Sequence, residues 1–320
     1  MKISVIGCGR WGSFLAWYLD KTGHCVSLYG RASSKNMQGF LATRKNSLLE
    51  LPESITLTTE LTDIKNSDTV VISVDSQGLR GVFEELAENG LTDRSFVLCM
   101  KGIEISSGKR LSEVAEEYLA PRGRVAVWLG PGHVQEFYGG IPNCMVIDSS
   151  DEGFKKELVD AFSSELIRLY YGDDLIGNEL GAAAKNVIGI AAGMLDGYSL
   201  SSLKGALMAR GAREVARLIR AMGGNELSAY GLCHLGDYEA TVFSQFSHNR
   251  RYGEAFVKGE SADGLAEGYY TVKALKSLCE KHGVEMPICR AVYEILYNGK
   301  FPKEELSLLF GRKPKTEFYS

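Results

Sequence analysis

Lys185 is the residue around which this chain could do chemistry. In the run 174–197, glycines stand at 177, 181, 189 and 193, with Lys185 at the centre of the series. A spacing of four puts them on one slowly drifting stripe of a single long helix. Asp173 or Asp174 can cap its start, and Gly197 can end it. Each interior glycine costs about 1 kcal/mol relative to alanine, so the stripe asks for a reason. A bare stripe lets another backbone or a ligand come close. The long side chain on it is an amine, and partial desolvation lowers an amine pKa. Such a lysine can pass a proton near neutral pH. Tight helix packing with Lys185 reaching out to solvent would give the same spacing.

A second chemical signal opens the chain. The β-rich run Lys2-Ile-Ser-Val-Ile6 leads into Gly7-Cys-Gly-Arg-Trp-Gly12, then helical periodicity over 13–19, Gly23, and a second strand over 25–29. Strand, glycine turn, helix and strand in this order predict a dinucleotide fold. Gly7 allows the tight turn, Gly9 lets the backbone approach a pyrophosphate, and Gly12 packs helix on strand. The pyrophosphate then sits on the helix N-terminus. An NAD-specific site usually has a carboxylate after the second strand. Here Tyr29-Gly-Arg31-Ala-Ser-Ser-Lys35 offers none. Arg31, Ser33, Ser34 and Lys35 could receive a 2′-phosphate, so NADPH is the expected cofactor and NADH the alternative. A solvated basic loop is the plainer account of the same residues.

These groups need elements to position them. Apolar runs at 68–74, 95–100 and 125–129 predict buried strands, and 167–171 a last one. Helical segments fall at 77–89, 109–118 and 154–164. The alternation predicts an α/β class: an N-terminal Rossmann-like, doubly wound parallel sheet. Ligands of such sheets lie beyond the carboxyl ends of the strands. Lys101 and Gly130-Pro131-Gly132-His133 stand at two such ends. An exposed loop lysine and a structural histidine are the plainer readings of Lys101 and His133. After the lysine helix, helices are expected at 201–222, 270–281 and 288–297, with no strand. A dinucleotide-binding domain over 1–173 is therefore expected before an all-helical substrate and catalytic domain over 174–320. Arg210, Arg213, Arg217 and Arg220 form a basic face that reads as solvated. The basic tail after Gly311 is expected to fray.

Composition excludes several classes. The 320 residues are 45% hydrophobic and carry a formal net charge of -4. No basic surplus argues for nucleic acid, and no apolar run reaches the ~20 residues of a membrane span. The first residues form a strand, not a secretory signal. Seven cysteines without a C-x-x-C pair read as reduced thiols of a cytoplasmic protein. His133, His234 and His248 are too scattered for a metal site. A homodimer is left open.

The chain resembles the bacterial and eukaryotic NAD(P)-dependent glycerol-3-phosphate dehydrogenases over essentially its whole length. The carriers are Gly7-Cys-Gly-Arg-Trp-Gly12, Lys101-Gly-Ile-Glu104, Gly130-Pro131, Glu179-Leu-Gly-Ala-Ala-Ala-Lys-Asn-Val-Ile188, Gly236-Asp237 with Thr241, Ser247-x-Asn249-Arg250, and Glu267-Gly268. The resemblance implies reversible reduction of dihydroxyacetone phosphate to sn-glycerol 3-phosphate, feeding phospholipid synthesis. It implies Lys185 as proton donor and acceptor and Lys101 as a second lysine near substrate and nicotinamide. Asp237, Thr241, Ser247 and Asn249 would be substrate and hydrogen-bonding positions, with Gly130 and Asn186 beside them. Arg10, Trp11, Arg31, Val134 and Glu267 would touch the cofactor. Two positions depart from the family. It usually has arginine between the residues matching Ser247 and Asn249, where this chain has His248. It usually reads Gly-Pro-Ser-Phe-Ala where this chain has Gly130-Pro-Gly132-His-Val134. Arg250, Lys204 or a protonated His248 could supply the missing charge toward a small phosphorylated substrate. A reductase of the same fold acting on another small keto or hydroxy acid is one alternative. A noncatalytic NADPH-binding sensor is another.

Overall fold

The apolar runs of the N-terminal half form one eight-stranded sheet in a computed structural model, which describes residues 1–261, 264, 266–314 and 316–317. The strands are β1 (Lys2–Ile6), β2 (Cys25–Tyr29), β3 (Thr56–Thr58), β4 (Thr69–Ile72), β5 (Ser95–Leu98), β6 (Arg124–Leu129), β7 (Asn143–Asp148) and β8 (Ile167–Tyr171). Their spatial order is β3-β2-β1-β4-β5-β6-β7-β8. Neighbours are parallel except β6 and β7, which run antiparallel with Trp128 opposite Ile147. The expected doubly wound parallel sheet is present, with this pair as its antiparallel exception. A parallel return needs a crossover of a dozen or more residues, usually a full helix. Residues 130–142 separate β6 from β7, and their one helix is five residues long, too short to carry the chain back across the sheet for a parallel return.

Helices α1 (Arg10–Lys21), α2 (Lys35–Thr43), α3 (Leu79–Glu88), α4 (Leu111–Glu116), α5 (Val134–Tyr138) and α6 (Glu152–Phe162) belong with the sheet. Phe14, Tyr18, Trp128, Phe137, Phe154 and Phe162 are buried together between sheet and helices. Near-continuous apolar strands are what two covered faces require.

The second half is helical among its described residues: α7 (Leu175–Gly197), α8 (Lys204–Ala221), α9 (His248–Lys258), α10 (Glu267–His282), α11 (Pro287–Asn298) and α12 (Pro302–Phe310), with short turns between. The chain divides into two compact units. One is Met1–Met100 with Leu111–Leu175; the other is Lys101–Arg110 with the chain from Ile176 onward. The loop carrying Lys101 thus packs with the helices, which a boundary near residue 173 does not anticipate. In the tail, Arg312 pairs with Glu285 at 3.0 Å and Arg210 donates to the Glu317 carbonyl at 3.0 Å. Lys315 and residues 318–320 lie outside the described residues. Arg213 pairs with Glu226 and Arg217 donates to the Glu285 carbonyl, so these members of the basic face are tied to protein groups and not merely solvated.

The glycine stripe of α7 finds its reason here. A methyl group on Gly181 would come within 3.0 Å of His234 Cβ, and one on Gly189 within 2.7 Å of Thr241 Cγ2. On Gly193 it would come 1.8 Å from the Arg250 carbonyl oxygen. The stripe lets the segment from His234 to Arg250 lie directly on α7, with Lys185 under its middle.

Candidate active site

The nucleotide side is built on the first βαβ turn. Gly7 has φ +108°, and a Cβ there would meet the Ser73 carbonyl oxygen at 2.1 Å. A Cβ on Gly12 would lie 1.9 Å from the Gly7 carbonyl oxygen. Gly9 caps α1 without a side-chain bond, and the space where its Cβ would stand is empty to 4 Å. That open cradle at a helix N-terminus fits a dinucleotide pyrophosphate. Arg10 is exposed and donates to Gln135 at 3.4 Å; Trp11 is half-buried against Phe14 and Phe137. At the end of β2, Arg31, Ser33 and Lys35 are exposed, and no acidic residue occupies the first turn of α2. Ser34 caps that helix, its hydroxyl accepting from the Met37 N–H at 3.5 Å.

Beyond β6, Gly130 and Gly132 both have positive φ, +132° and +146°. A Cβ on Gly132 would stand 2.1 Å from the Phe137 ring. The absent serine is therefore a change of backbone and packing together, because the Phe137 ring fills the space a side chain would need. His133 stands at the N-cap of α5, and Val134 is the helix's first, buried residue.

The helical unit assembles the titratable cluster. Asp237 ends a single 3-10 turn, Leu235–Asp237, and Thr241 lies in a π-helical turn, Glu239–Phe243. Two differently wound turns thus carry the pair. Such π turns recur at functional sites. Asp237 Oδ2 accepts from Lys101 Nζ at 2.6 Å and pairs with Lys185 Nζ at 2.8 Å. Lys185 Nζ also donates to Thr241 Oγ1 at 2.6 Å. Asp237 is 1% exposed and Lys185 7%. Burial pushes the Lys185 amine down from 10.5 to about 8; Asp237 pulls it up, and Lys101 pushes it down. This amine can therefore hold or give up a proton near physiological pH. The Asn186 amide donates to the Lys101 carbonyl at 3.3 Å, Asn249 donates to Asn186 Oδ1 at 3.0 Å, and the Gly268 N–H donates to Asn249 Oδ1 at 2.9 Å. Glu267, beside it, opens α10.

His234 and Tyr238 escaped the sequence reading of the cluster. His234 Nδ1 lies 2.8 Å from the Gly181 carbonyl, which can only accept. Nδ1 therefore carries the proton, and Nε2 accepts from the Tyr238 hydroxyl at 2.8 Å. Burial lowers the ring to about 4, which keeps it neutral. The pair holds the turn bearing Asp237 on α7. Gly181 was the available signal, since its bare position admits His234.

At the start of α9, Ser247 caps the helix by accepting from the Arg250 N–H at 3.2 Å. His248 and Asn249 are the first residues of that helix. Two suggested cations are already committed. Arg250 Nη1 pairs with Asp196 at 2.8 Å and Glu254 at 3.0 Å; Lys204 Nζ pairs with Asp196 at 2.6 Å. Asp196 and Glu254 share these two cations, so each has a carboxylate partner within the helical unit. Among the described residues, no three His, Cys, Asp or Glu side chains gather as metal ligands.

Known proteins match this arrangement along its length. Residues 2–155 match the family model for the NAD-dependent glycerol-3-phosphate dehydrogenase N-terminus, and 174–307 that for its C-terminus. The glycerol-3-phosphate dehydrogenase [NAD(P)+] of Thermoanaerobacter sp. (strain X514) is 38% identical, over 100% of this chain and 99% of its own length. That of Bacillus cereus (strain G9842) is 37% identical over 99% and 97%. A crystal structure of glycerol-3-phosphate dehydrogenase from Coxiella burnetii superposes with a TM-score of 0.89 at 29% identity, covering 97% of this chain and 99% of that one.

Proposed function

The chain belongs to the NAD-dependent glycerol-3-phosphate dehydrogenase family, and on that premise we propose that this NAD(P)H-dependent oxidoreductase interconverts dihydroxyacetone phosphate and sn-glycerol 3-phosphate with Lys185 as its acid and base. The observation that carries the assignment of Lys185 is its buried amine held between Asp237 and Thr241, where burial pushes it down to about 8. Bound NAD(P)H supplies the hydride to the ketone carbon. The oxygen left behind is an alkoxide, which needs a proton and a compensating charge together. The Lys185 ammonium gives that proton, and the Lys101 ammonium stabilises the oxygen's charge. Asp237 and Thr241 aim the Lys185 amine. In oxidation the neutral amine takes the proton from the C2 hydroxyl.

The sign of the pH dependence follows. Reduction needs protonated Lys185, so its kcat/KM should fall about tenfold per unit above pH 8. Oxidation needs the neutral amine, so its kcat/KM should rise toward pH 8 and then level. Rates in both directions from pH 6 to 10 test this. Limbs that bend in the same sense would remove Lys185 from the role.

Arg31, Ser33 and Lys35 at a β2 end without a carboxylate support a preference for NADPH over NADH. On the phosphate side we assign His248, at the start of α9, as the cation that replaces the family's arginine. KM for dihydroxyacetone phosphate should then rise as pH passes the histidine range, near 6.5 when unperturbed. The comparison is parent against His248→Gln, which cancels the substrate phosphate's own titration. Parallel KM profiles would exclude the assignment. The product keeps two free hydroxyls beside its phosphate, the chemistry that acylation to a phospholipid precursor needs. Seven free cysteines suit a reducing cytoplasm. We extend the reading to a homodimer, on the apolar surface left exposed by Phe301, Leu308 and Phe310. A monomeric mass by light scattering would exclude it.

A further inference from the structure

The chain between β5 and α4 is a loop that packs with the helical unit, although the sequence on either side of it belongs to the sheet. Lys101 opens this loop and Arg110 closes it. It is cinched on itself. Ile103 and Arg110 form an antiparallel bridge, the Glu104 N–H donates to the Lys109 carbonyl at 3.0 Å, and the Gly108 N–H donates to the Glu104 carbonyl at 2.9 Å. Ile103 is fully buried in the helical core. Side-chain bonds fasten the loop to α7. One is the Asn186 amide on the Lys101 carbonyl. Another is Arg110 Nη1 on Glu179 Oε2 at 2.7 Å, with side chains 12% and 4% exposed. Glu179 lies six residues before Lys185, roughly 9 Å along the helix axis at about 1.5 Å per residue. A buried ion pair is a weak source of stability, and an apolar pair of similar volume often serves as well. What it adds is direction: a charge-assisted hydrogen bond fixes where the end of the loop stands on α7.

We propose that Arg110 and Glu179 are positioning residues of the reaction, their ion pair registering the loop on α7 so that the Lys101 ammonium stays beside Asp237 and Lys185. The inference rests on the functional reading above and deepens it. The groups facing Lys185 are Asp237, whose Oδ2 it shares with Lys101, the Thr241 hydroxyl, and neutral His234 behind Asp237. If the loop slackens and Lys101 withdraws, Lys185 loses a neighbouring cation and has Asp237 to itself. Both changes favour the protonated amine, so its midpoint moves up.

The test is Arg110→Gln against the parent. kcat should fall on the order of 10²-fold, as for a misplaced catalytic group. NADPH affinity should hold, and the pH midpoint of kcat/KM for glycerol 3-phosphate oxidation should rise. The exchanged pair, Arg110→Glu with Glu179→Arg, should recover both kcat and midpoint. If Arg110→Gln does not fold, Arg110→Leu with Glu179→Leu removes the direction without leaving a buried charge, and the same losses are expected. A second readout needs no turnover: the pH dependence of Lys185 acetylation by acetic anhydride, followed by peptide mass, should shift upward in the variants. Variants with the parent's Lys185 midpoint and kcat would overturn the inference. A parent that never turns over dihydroxyacetone phosphate would instead overturn the functional reading, and the acetylation midpoint would still decide the positioning role.

Discussion

Lys185→Met should lose about 10²–10⁴-fold in kcat in both directions while binding NADPH as the parent does, the range a general acid–base group supplies. Methionine matches the length of the lysine stem, so α7 and its buried surroundings need not rearrange. The nucleotide cradle at Gly7, Gly9 and Gly12 is built in the sheet-bearing unit, and Lys185 in the helical one. Binding and turnover should therefore separate cleanly. Fluorescence titration with NADPH beside steady-state rates checks this. A variant within tenfold of the parent would mean that another group moves the proton. If NADPH bound normally and the parent also turned over no substrate, a sensing role would gain.

The second large effect is Asp237→Asn. Its carboxylate is the shared partner of two ammonium groups, and removing one partner of a buried ion pair costs about 3–5 kcal/mol. The asparagine also removes the interaction that holds the Lys185 pKa up, while burial and Lys101 still push it down. Its midpoint should drop below about 8. Reduction at neutral pH then loses its acid, and the oxidation limb moves to lower pH. The stability change has a direction too. A lysine whose folded pKa lies below its unfolded value binds fewer protons folded than unfolded between the two. Lys185 therefore destabilises the parent fully below about pH 8, and the penalty fades as pH rises toward 10.5. In Asp237→Asn the lower end of that window moves down, so the loss should be greatest at acid pH. Denaturant midpoints from pH 5 to 9 check it. A variant as stable as the parent at pH 6 would show that the three charges are not coupled as described.

Much of this could be read in the residues because local physics dictated it. The Gly7–Gly12 turn sits between a strand and a helix in the chain itself. The α7 glycines named the face on which something must lie close. What they could not name was the occupant, since His234, Thr241 and Arg250 arrive from dozens of residues away. β3 is three residues long, and β7 follows Gly139, Gly140 and Pro142, where no periodicity announces a strand. Its antiparallel sense goes with a connection from β6 whose helix is five residues long, too short for a crossover. Lys101 looked like the end of a sheet strand; only burial of Ile103 and the Arg110–Glu179 pair reveal that its loop belongs with the helices. Arg250 and Lys204 looked available because Asp196, the carboxylate both of them pair with, is brought to them only by the fold.

NADPH oxidation by the purified protein with dihydroxyacetone phosphate, beside unphosphorylated dihydroxyacetone and each repeated with NADH, decides what the enzyme reduces. Fast turnover that requires the phosphate and is faster with NADPH is expected. Bound NADPH with no turnover of either ketone would contradict it, and would mean that Gly132 and His248 have turned the pocket to another substrate.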